Sequence, residues 1–260
     1  MKLLATLFFV FSITLLSAQT PKPNPRLDFE YFIQGDDGYN GLTVTYNPTN
    51  NYYYCIYAGN ADFPMEVFNA GGEMIYSGKA QMDVRGLWYN PKLNCLEGTK
   101  YPSGNFKMYL NDKGIPSNPV FQSANEFIPP YEQCQVVCDP SKGILYSYYD
   151  GIVYVYQQKT NKLKKKILLK NCPVNFSNIN PYAIGFTGYK NYELVLYDVY
   201  SNQVLFFNLS GKYIASVKMP YGIPYISSFR FGYTNNRIFL YDEETRSWQA
   251  YLIFGGDAGN

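Results

Sequence analysis

The chain has 260 residues, with 22 Lys and Arg against 20 Asp and Glu, so its net charge of +2 gives no support for nucleic acid as a partner. It has no histidine, which excludes catalytic triads with a histidine base, cysteine–histidine nucleophiles, and histidine-ligated zinc or haem. Its 28 tyrosines and 18 phenylalanines favour strands, and no segment has a convincing helical period, so the composition predicts an all-β fold.

Residues 1–18 predict a signal peptide. Met1-Lys2 gives a short positive start, and residues 3–16 form an apolar run that is too short to cross a bilayer as a helix. Ser17-Ala18 offers a cleavage site near Ala18, and no cysteine follows it that could carry a lipid anchor. No second apolar run approaches membrane length, so we predict a protein without a transmembrane anchor that is secreted or lies in the periplasm or at the cell surface.

Repeats dominate the rest of the chain. Residues 19–26 predict an extended tail, and residues 27–260 a single domain that opens with a strand at 27–34. Five times afterwards, a hydrophobic strand runs into a tight polar turn and a second strand follows. The turns are Tyr46-Asn47-Pro48, Tyr89-Asn90-Pro91, Cys138-Asp139-Pro140, Thr187-Gly188-Tyr189 and Gly232-Tyr233-Thr234. Their mean period of about 46 residues, with four short strands per unit, is the signature of a β-propeller blade.

The strand count predicts how the propeller closes. The first repeat contains four strands, A to D from the inside outwards, at 42–46, 52–58, 65–69 and 73–77. The fifth has only three, at 226–233, 237–241 and 248–254. Because an unpaired edge would remain exposed, we predict that strand 27–34 completes the fifth blade from outside. The alternative of six blades would need a further repeat that we do not find.

Two of the hairpins carry a resemblance to known proteins. Val67-Phe68-Asn69-Ala70-Gly71-Gly72 and Phe207-Asn208-Leu209-Ser210-Gly211, with the strand-turn-strand spacing of residues 27–254, resemble the secreted propeller repeats of NHL and YVTN-type proteins. The resemblance implies the architecture and no particular function.

Tyrosine recurs at one position of the loops that connect strand D of one blade with strand A of the next. The residues are Tyr39, Tyr131, Tyr182 and Tyr225, and the last three each follow a proline. Tyrosine combines an apolar ring with a hydroxyl group, which suits a carbohydrate or a peptide. We therefore predict a ligand-binding face at the D–A loops. The alternative is that these tyrosines pack between blades and that the prolines stiffen the loops.

A second candidate surface is basic. Six lysines lie within residues 159–170, and Lys164, Lys165 and Lys166 are consecutive. They could contact an anionic surface, such as an acidic polysaccharide or a membrane. The alternative is that they protect an outer strand from aggregation.

The five cysteines are disulfide candidates whose pairing the sequence leaves open. They are Cys55, Cys95, Cys134, Cys138 and Cys172. The odd number leaves at least one thiol unpaired in a monomer. Cys134 and Cys138 would be about 13 Å apart on one extended strand, beyond the reach of a bridge. Plain buried thiols are the alternative to any bridge.

Carboxylates provide the remaining route to catalysis, because glycosidases need only acidic side chains. The candidates are Asp36, Asp37, Asp83, Glu126, Glu132 and Asp150. Asp36 and Asp37 could also contribute oxygen atoms to a calcium ion, although two carboxylates make a poor site and a simple turn is the preferred interpretation. We expect no metal and no cofactor. The predicted function is therefore that of a monomeric, non-enzymatic binding protein, with a carboxylate-dependent glycosidase and a scaffold of a cell-surface assembly as alternatives.

Overall fold

The computed structural model describes residues 23–32, 39–59, 63–122, 126–223, 226 and 229–254; the predicted signal peptide and its cleavage site lie outside this range. The described residues form twenty strands and one short 3-10 helix, η1 (Phe176–Asn178). In chain order the strands are β1 (Arg26–Phe32), β2 (Tyr39–Asn47), β3 (Tyr52–Gly59), β4 (Pro64–Asn69), β5 (Met74–Lys79), β6 (Val84–Asn90), β7 (Cys95–Lys100), β8 (Asn105–Tyr109), β9 (Val120–Gln122), β10 (Val136–Asp139), β11 (Ile144–Tyr149), β12 (Ile152–Gln157), β13 (Lys162–Leu168), β14 (Gly185–Phe186), β15 (Leu194–Asp198), β16 (Gln203–Phe207), β17 (Tyr213–Lys218), β18 (Phe231–Thr234), β19 (Arg237–Asp242) and β20 (Ser247–Leu252).

These strands form five four-stranded antiparallel sheets, and the prediction of a five-bladed β-propeller is confirmed. Blades 1 to 4 are β2–β5, β6–β9, β10–β13 and β14–β17, each in sequential order. Blade 5 has the order β1-β20-β19-β18, with β18 innermost. The alternative of six blades is therefore wrong.

The first strand closes the ring as predicted. β1 pairs with β20 in antiparallel register, from Arg26 opposite Leu252 to Phe32 opposite Ser247. Tyr31 on this strand is 1% exposed, stacks on Phe68 of blade 1 at 4.6 Å between ring centroids, and donates its hydroxyl hydrogen to the carbonyl of Asn69 at 3.0 Å. One strand thus completes blade 5 and ties it to blade 1.

The C–D hairpins of blades 1, 2 and 4 share one local hydrogen-bond pattern, which explains why the hairpin motif recurs in the sequence. The side-chain oxygens of Asn69, Asn111 and Asn208 each accept hydrogen bonds from two backbone N–H groups, two and four residues further on. Asparagine side chains that bond to the following backbone stabilise tight turns, so these residues fix the outer hairpins.

Blade 5 departs from the prediction at its innermost strand. The strand predicted at 226–233 begins only at Phe231, because Phe229 and Arg230 adopt left-handed backbone conformations, with φ of 41° and 54°. The predicted turn at Gly232-Tyr233-Thr234 is also wrong, since these residues belong to β18. The turn is instead formed by Asn235 and Asn236, whose φ values of 49° and 60° suit a two-residue hairpin.

Glycines let the innermost strands approach one another closely around the axis. A Cβ atom on Gly86 would lie 2.4 Å from the carbonyl oxygen of Val136 in the next blade, and one on Gly185 would lie 2.6 Å from the Cβ of Tyr233. Neither position has room for a methyl group, so the width of the ring depends on these glycines.

All five cysteines are free in the structure, with Cys55, Cys95 and Cys134 buried and Cys138 and Cys172 half-buried. Burial raises the pKa of the Cys95 thiol to about 11 and that of Cys134 to about 12. Because the thiolate is the reactive form, these thiols should react slowly at pH 8 in the folded protein.

This arrangement predicts the outcome of a thiol titration with Ellman's reagent. We expect all five thiols to react in guanidinium chloride without any reductant, and native protein at pH 8 to react far more slowly. A count of three or one in the denatured protein would instead demonstrate disulfides and contradict the structure.

Candidate functional site

Six side chains form a continuous stack at the end of the propeller where the D–A loops lie. We call this stack the aromatic arc. In spatial order its members are Tyr149, Tyr131, Tyr182, Phe229, Arg85 and Tyr101. Neighbouring ring centroids lie 5.3 to 5.9 Å apart, and the Arg85 guanidinium carbon lies 4.7 Å from the Phe229 ring and 5.2 Å from the Tyr101 ring.

Loops from four of the five blades supply the arc. Tyr131, Tyr182 and Phe229 lie in the D–A loops that enter blades 3, 4 and 5. Arg85 lies at the start of β6, and Tyr149 and Tyr101 lie at the B–C turns of blades 3 and 2. The start of strand A and the B–C turn of every blade are at the same end of a propeller, so the fold alone brings these positions together.

Arg85 is the charged centre of the arc. Its guanidinium group donates to both carboxylate oxygens of Asp83, including a 2.8 Å bond to Oδ2, and to Oε1 of Gln133 at 2.9 Å. Burial raises the pKa of Asp83 and lowers that of Arg85, and the ion pair opposes both shifts. The structure thus holds a partly desolvated cation between two aromatic rings, where cation–π attraction is strongest.

The backbone around Phe229 fixes the middle of the arc. The Asn180 side-chain amide donates to the Phe229 carbonyl at 3.1 Å, and the Arg230 N–H donates to the Gly41 carbonyl at 3.1 Å. The left-handed conformations of Phe229 and Arg230 are costly for residues with bulky side chains, and such positions concentrate at functional sites.

The structure places the four predicted tyrosines as follows. Tyr131 and Tyr182 are neighbours in the arc, with ring centroids 5.5 Å apart. Tyr39 begins β2, where its backbone pairs with Gly59, but its side chain is not among the described residues. Tyr225 lies outside the described range altogether. Sequence reasoning missed the other four members of the arc, which do not share the recurring tyrosine position.

The basic surface is separate from the arc. Lys164, Lys165 and Lys166 lie on β13, the outermost strand of blade 3, and are exposed. The Lys166 ammonium group lies 5.0 Å from the centre of the Tyr154 ring on the neighbouring strand β12, so this lysine contacts its own sheet.

Two of the acidic candidates form hydrogen bonds with members of the arc. Asp83 pairs with Arg85, and Glu132 accepts a hydrogen bond from the Tyr101 hydroxyl at 3.2 Å. Glu126 accepts from Ser103 at 2.7 Å, and Asp150 lies in the B–C turn of blade 3. Asp36 and Asp37 lie outside the described residues, and the described part of the chain contains no group of three or more Cys, Asp or Glu side chains placed to hold a metal.

A cavity of about 390 Å³ lies on the axis of the ring. The innermost strands of all five blades line it, and it reaches the A–B turns at the end opposite the arc. At the arc end, the Gln135 side-chain amide from blade 3 donates to the Leu42 carbonyl of blade 1 at 2.5 Å. This bond joins blades 1 and 3 across the ring, and Gln135 also lines the cavity.

Comparisons with known proteins support the architecture alone. No family model matches the chain, and no curated protein does, so the resemblance to NHL and YVTN-type repeats stays a prediction. Among solved structures, the glutaminyl cyclase of Myxococcus xanthus is similar, with a TM-score of 0.59 at 10% identity over 92% of this chain and 100% of that one.

Two further similar structures are proteins of unknown function. One, from Bacteroides caccae, has a TM-score of 0.45 at 13% identity, over 85% of this chain and 87% of that one. The other, from Desulfotomaculum acetoxidans, has a TM-score of 0.47 at 14% identity, over 75% of each chain.

Within the described residues, no helix has the length and apolar character needed to span a membrane.

Proposed function

We propose that this protein is an exported, non-enzymatic propeller that binds an extended peptide segment of a protein partner at the aromatic arc. The observation that carries the proposal is the continuous stack of five rings and one guanidinium group on one end of the ring. Tyrosine and arginine are the residue types that contribute most binding energy at protein interfaces, because they combine large contact area with hydrogen bonding.

The stacking favours a peptide over a carbohydrate. A sugar that binds to tyrosine needs an exposed ring face, but the Tyr131 ring is stacked against the rings of both Tyr149 and Tyr182. Ring edges and hydroxyl groups therefore remain for a ligand, and these suit the alternating amide and side-chain groups of a peptide. Tyr131 is 38% exposed, so a ligand can reach it directly.

The pairing of Asp83 favours binding over catalysis. Both oxygens of this carboxylate accept hydrogen bonds from Arg85, so the group is held as the partner of the guanidinium. A glycosidase needs two carboxyl groups that both act on the bond to be cleaved.

Replacing Tyr131 by alanine is expected to weaken peptide binding at least tenfold, which corresponds to about 1.4 kcal/mol. The reason is that Tyr131 joins Tyr149 and Tyr182, so its loss interrupts the arc. Peptides selected from a phage-displayed library with the purified protein provide the probe, and calorimetry measures the affinity.

The matched control is Tyr200→Ala. Tyr200 lies in the B–C turn of blade 4 at the same end of the ring, is 72% exposed and is not part of the arc. Its replacement should leave affinity unchanged, and both variants should keep the melting temperature of the parent. Equal loss in the two variants, or the absence of any peptide that the library yields as a binder, would refute the proposed site.

A second readout distinguishes a binding protein from an enzyme. The similar Myxococcus xanthus protein is a glutaminyl cyclase, so the peptide panel should include one with an N-terminal glutamine. We expect this peptide to be recovered unchanged. A loss of ammonia from the peptide, seen by mass spectrometry and dependent on the protein, would show enzymatic activity instead.

A further inference from the structure

A polar cleft separates blades 2 and 3. It consists of two cavities, of about 360 and 380 Å³, which share the lining residues Trp88, Asn90, Gly143 and Gln158. One cavity extends along the sheet of blade 2, and the other runs between the A–B turns of the two blades. We call the two together the inter-blade cleft; it lies apart from the aromatic arc.

Three consecutive cross-strand positions of blade 2 supply the chemistry of this cleft. Trp88 pairs with Glu97, which pairs with Lys107 on the next strand. Glu97 accepts from the Trp88 indole N–H at 3.3 Å, and its other oxygen lies 2.9 Å from the Lys107 ammonium nitrogen. Gln158 of blade 3 donates to Glu97 at 2.8 Å, and the Glu97 side chain is only 10% exposed.

Blades 1 and 3 show that the fold does not require Trp88, Glu97 and Lys107 in this row of three cross-strand positions. In blades 1, 2 and 3, Asn47, Asn90 and Asp139 end the innermost strand in the same register, so the rows of the three blades can be compared position by position. The residues at the positions of Trp88, Glu97 and Lys107 are Thr45, Tyr54 and Val67 in blade 1, and Val137, Tyr146 and Val155 in blade 3.

The equivalents of the ion pair are core residues in both neighbouring blades. Tyr54 and Val67 pack in the hydrophobic core between blades 1 and 2, and Tyr146 and Val155 in the core between blades 3 and 4. Burying an ion pair costs desolvation that well-packed apolar side chains avoid. Blade 2 therefore carries a charged pair at positions where blades 1 and 3 have side chains that pack in the core. Departures of this kind from the pattern of a fold concentrate at functional sites.

The cleft presents three kinds of group to a ligand. Carboxamide side chains, which both donate and accept hydrogen bonds, match sugar hydroxyls, and five of them line it: Asn90, Asn105, Gln122, Gln157 and Gln158. The indole of Trp88 is the apolar group that borders the cleft; it is 7% exposed and packs with Val136 and Leu145.

The third kind of group is cationic. Lys92 and Lys159 line the cleft and have no acidic partner among the described residues. Glu97, already paired with Lys107, is the only acidic residue of the described chain that lines either cavity. The cleft thus has excess positive charge around a polar, indole-lined floor.

We propose that the inter-blade cleft is a second binding site and that it takes an acidic oligosaccharide, with its hydroxyl groups on the carboxamides and its carboxylate or sulfate groups on the lysines. The two tryptophans of the chain make the site observable, since Trp248 is fully buried in blade 5 and Trp88 lines the cleft. Oligomers of galacturonic acid and sulfated oligosaccharides are the probes, and a neutral galacto-oligosaccharide of equal length is the comparison.

The decisive variant is the double substitution E97Y/K107V, which gives blade 2 the residues of blades 1 and 3. We expect it to keep or raise the melting temperature, because apolar side chains replace a buried ion pair. It should also weaken the binding of acidic oligosaccharides at least tenfold. The parent should show a change in tryptophan emission on binding that W88F lacks.

A second pair of variants tests the lysines without touching the core. K92A/K159A should weaken binding and reduce its dependence on salt, since two charges that face the ligand are removed. The matched control K164A/K166A alters the basic strand outside the cleft and should change neither.

Four results would overturn the proposal. The first is that no acidic oligosaccharide in the panel binds, and the second is that E97Y/K107V binds like the parent. The third is that K164A/K166A rather than K92A/K159A loses binding. The fourth is a large fall in the melting temperature of E97Y/K107V, because stability alone would then explain the ion pair. None of these results bears on the peptide site, because Tyr131→Ala tests that site separately.

Discussion

Replacing Tyr31 by alanine is expected to lower the free energy of unfolding by about 3–5 kcal/mol, as for other large buried aromatic residues. Tyr31 is almost completely buried on β1 and contacts the two blades that β1 joins. Its ring stacks on Phe68 of blade 1, and it also packs against Phe29 and Tyr53 at 4.6 and 5.6 Å between centroids. Truncation therefore leaves a cavity at the closure of the ring, which the two blades cannot fill without moving.

Two further variants separate the contributions of Tyr31. Tyr31→Phe retains the ring but loses the hydrogen bond to the Asn69 carbonyl, so it should cost about 1 kcal/mol. Phe32→Ala, on the same strand but 56% exposed, should change stability by less than about 0.5 kcal/mol. Guanidinium denaturation measures all three. A Tyr31→Ala cost close to that of Phe32→Ala would mean that β1 does not hold the ring closed.

Gly86→Ala is expected to cost about 3 kcal/mol, the upper end of the usual range for overpacking. The added methyl group would lie 2.4 Å from the Val136 carbonyl oxygen and 2.9 Å from Oγ1 of Thr99. The first of these contacts is with backbone, so no side-chain rotation relieves it, and the innermost strands of blades 2 and 3 must separate.

Gly232→Ala is the matched control. Gly232 also lies on an innermost strand, but a Cβ atom there would meet only ordinary contacts, at 3.5 Å from the Val44 nitrogen and 3.9 Å from the Phe239 Cβ. We expect a change within about 1 kcal/mol, of either sign, because alanine also restricts the unfolded chain. Thermal and denaturant unfolding compare the two variants. Similar stability of both would show that the ring can widen at little cost.

The fold was largely predictable because its signals are local. Each A–B turn of blades 1 to 3 begins with Asn or Asp followed by Pro, and the side chains of Asn47, Asn90 and Asp139 bond to the backbone two residues on. Five repeats, the fifth one strand short, and one additional strand at the start leave one way to close the sheet edges. The prediction for blade 5 is wrong because Asn235-Asn236 forms a two-residue turn that differs from the other A–B turns.

The aromatic arc was predictable only in part. The recurring tyrosine position indicated Tyr131 and Tyr182, which the structure does bring together. Tyr149 and Tyr101 lie at B–C turns, and Arg85 occupies a blade in which the tyrosine pattern fails, so periodicity could not indicate them. Their contact depends on how loops from different blades meet in space, which spacing along one chain does not encode.

The row of paired residues Trp88, Glu97 and Lys107 is predictable in part from the repeat. Aligning the first three repeats at Asn47, Asn90 and Asp139 places Glu97 opposite Tyr54 and Tyr146, and a charge among core aromatics indicates a special site. Its partner Lys107 could not be aligned from sequence alone, because the loops between the B and C strands differ in length.

The pairing of β1 with β20 also governs when this protein can finish folding. β1 and β20 lie more than 200 residues apart, from Arg26 opposite Leu252 to Phe32 opposite Ser247, whereas blades 1 to 4 each form from neighbouring segments. Because contacts between distant segments form slowly, blade 5 should be the last blade to assemble when the denatured protein refolds. Until β1 pairs with β20, the four other blades would form an open array with exposed strand edges.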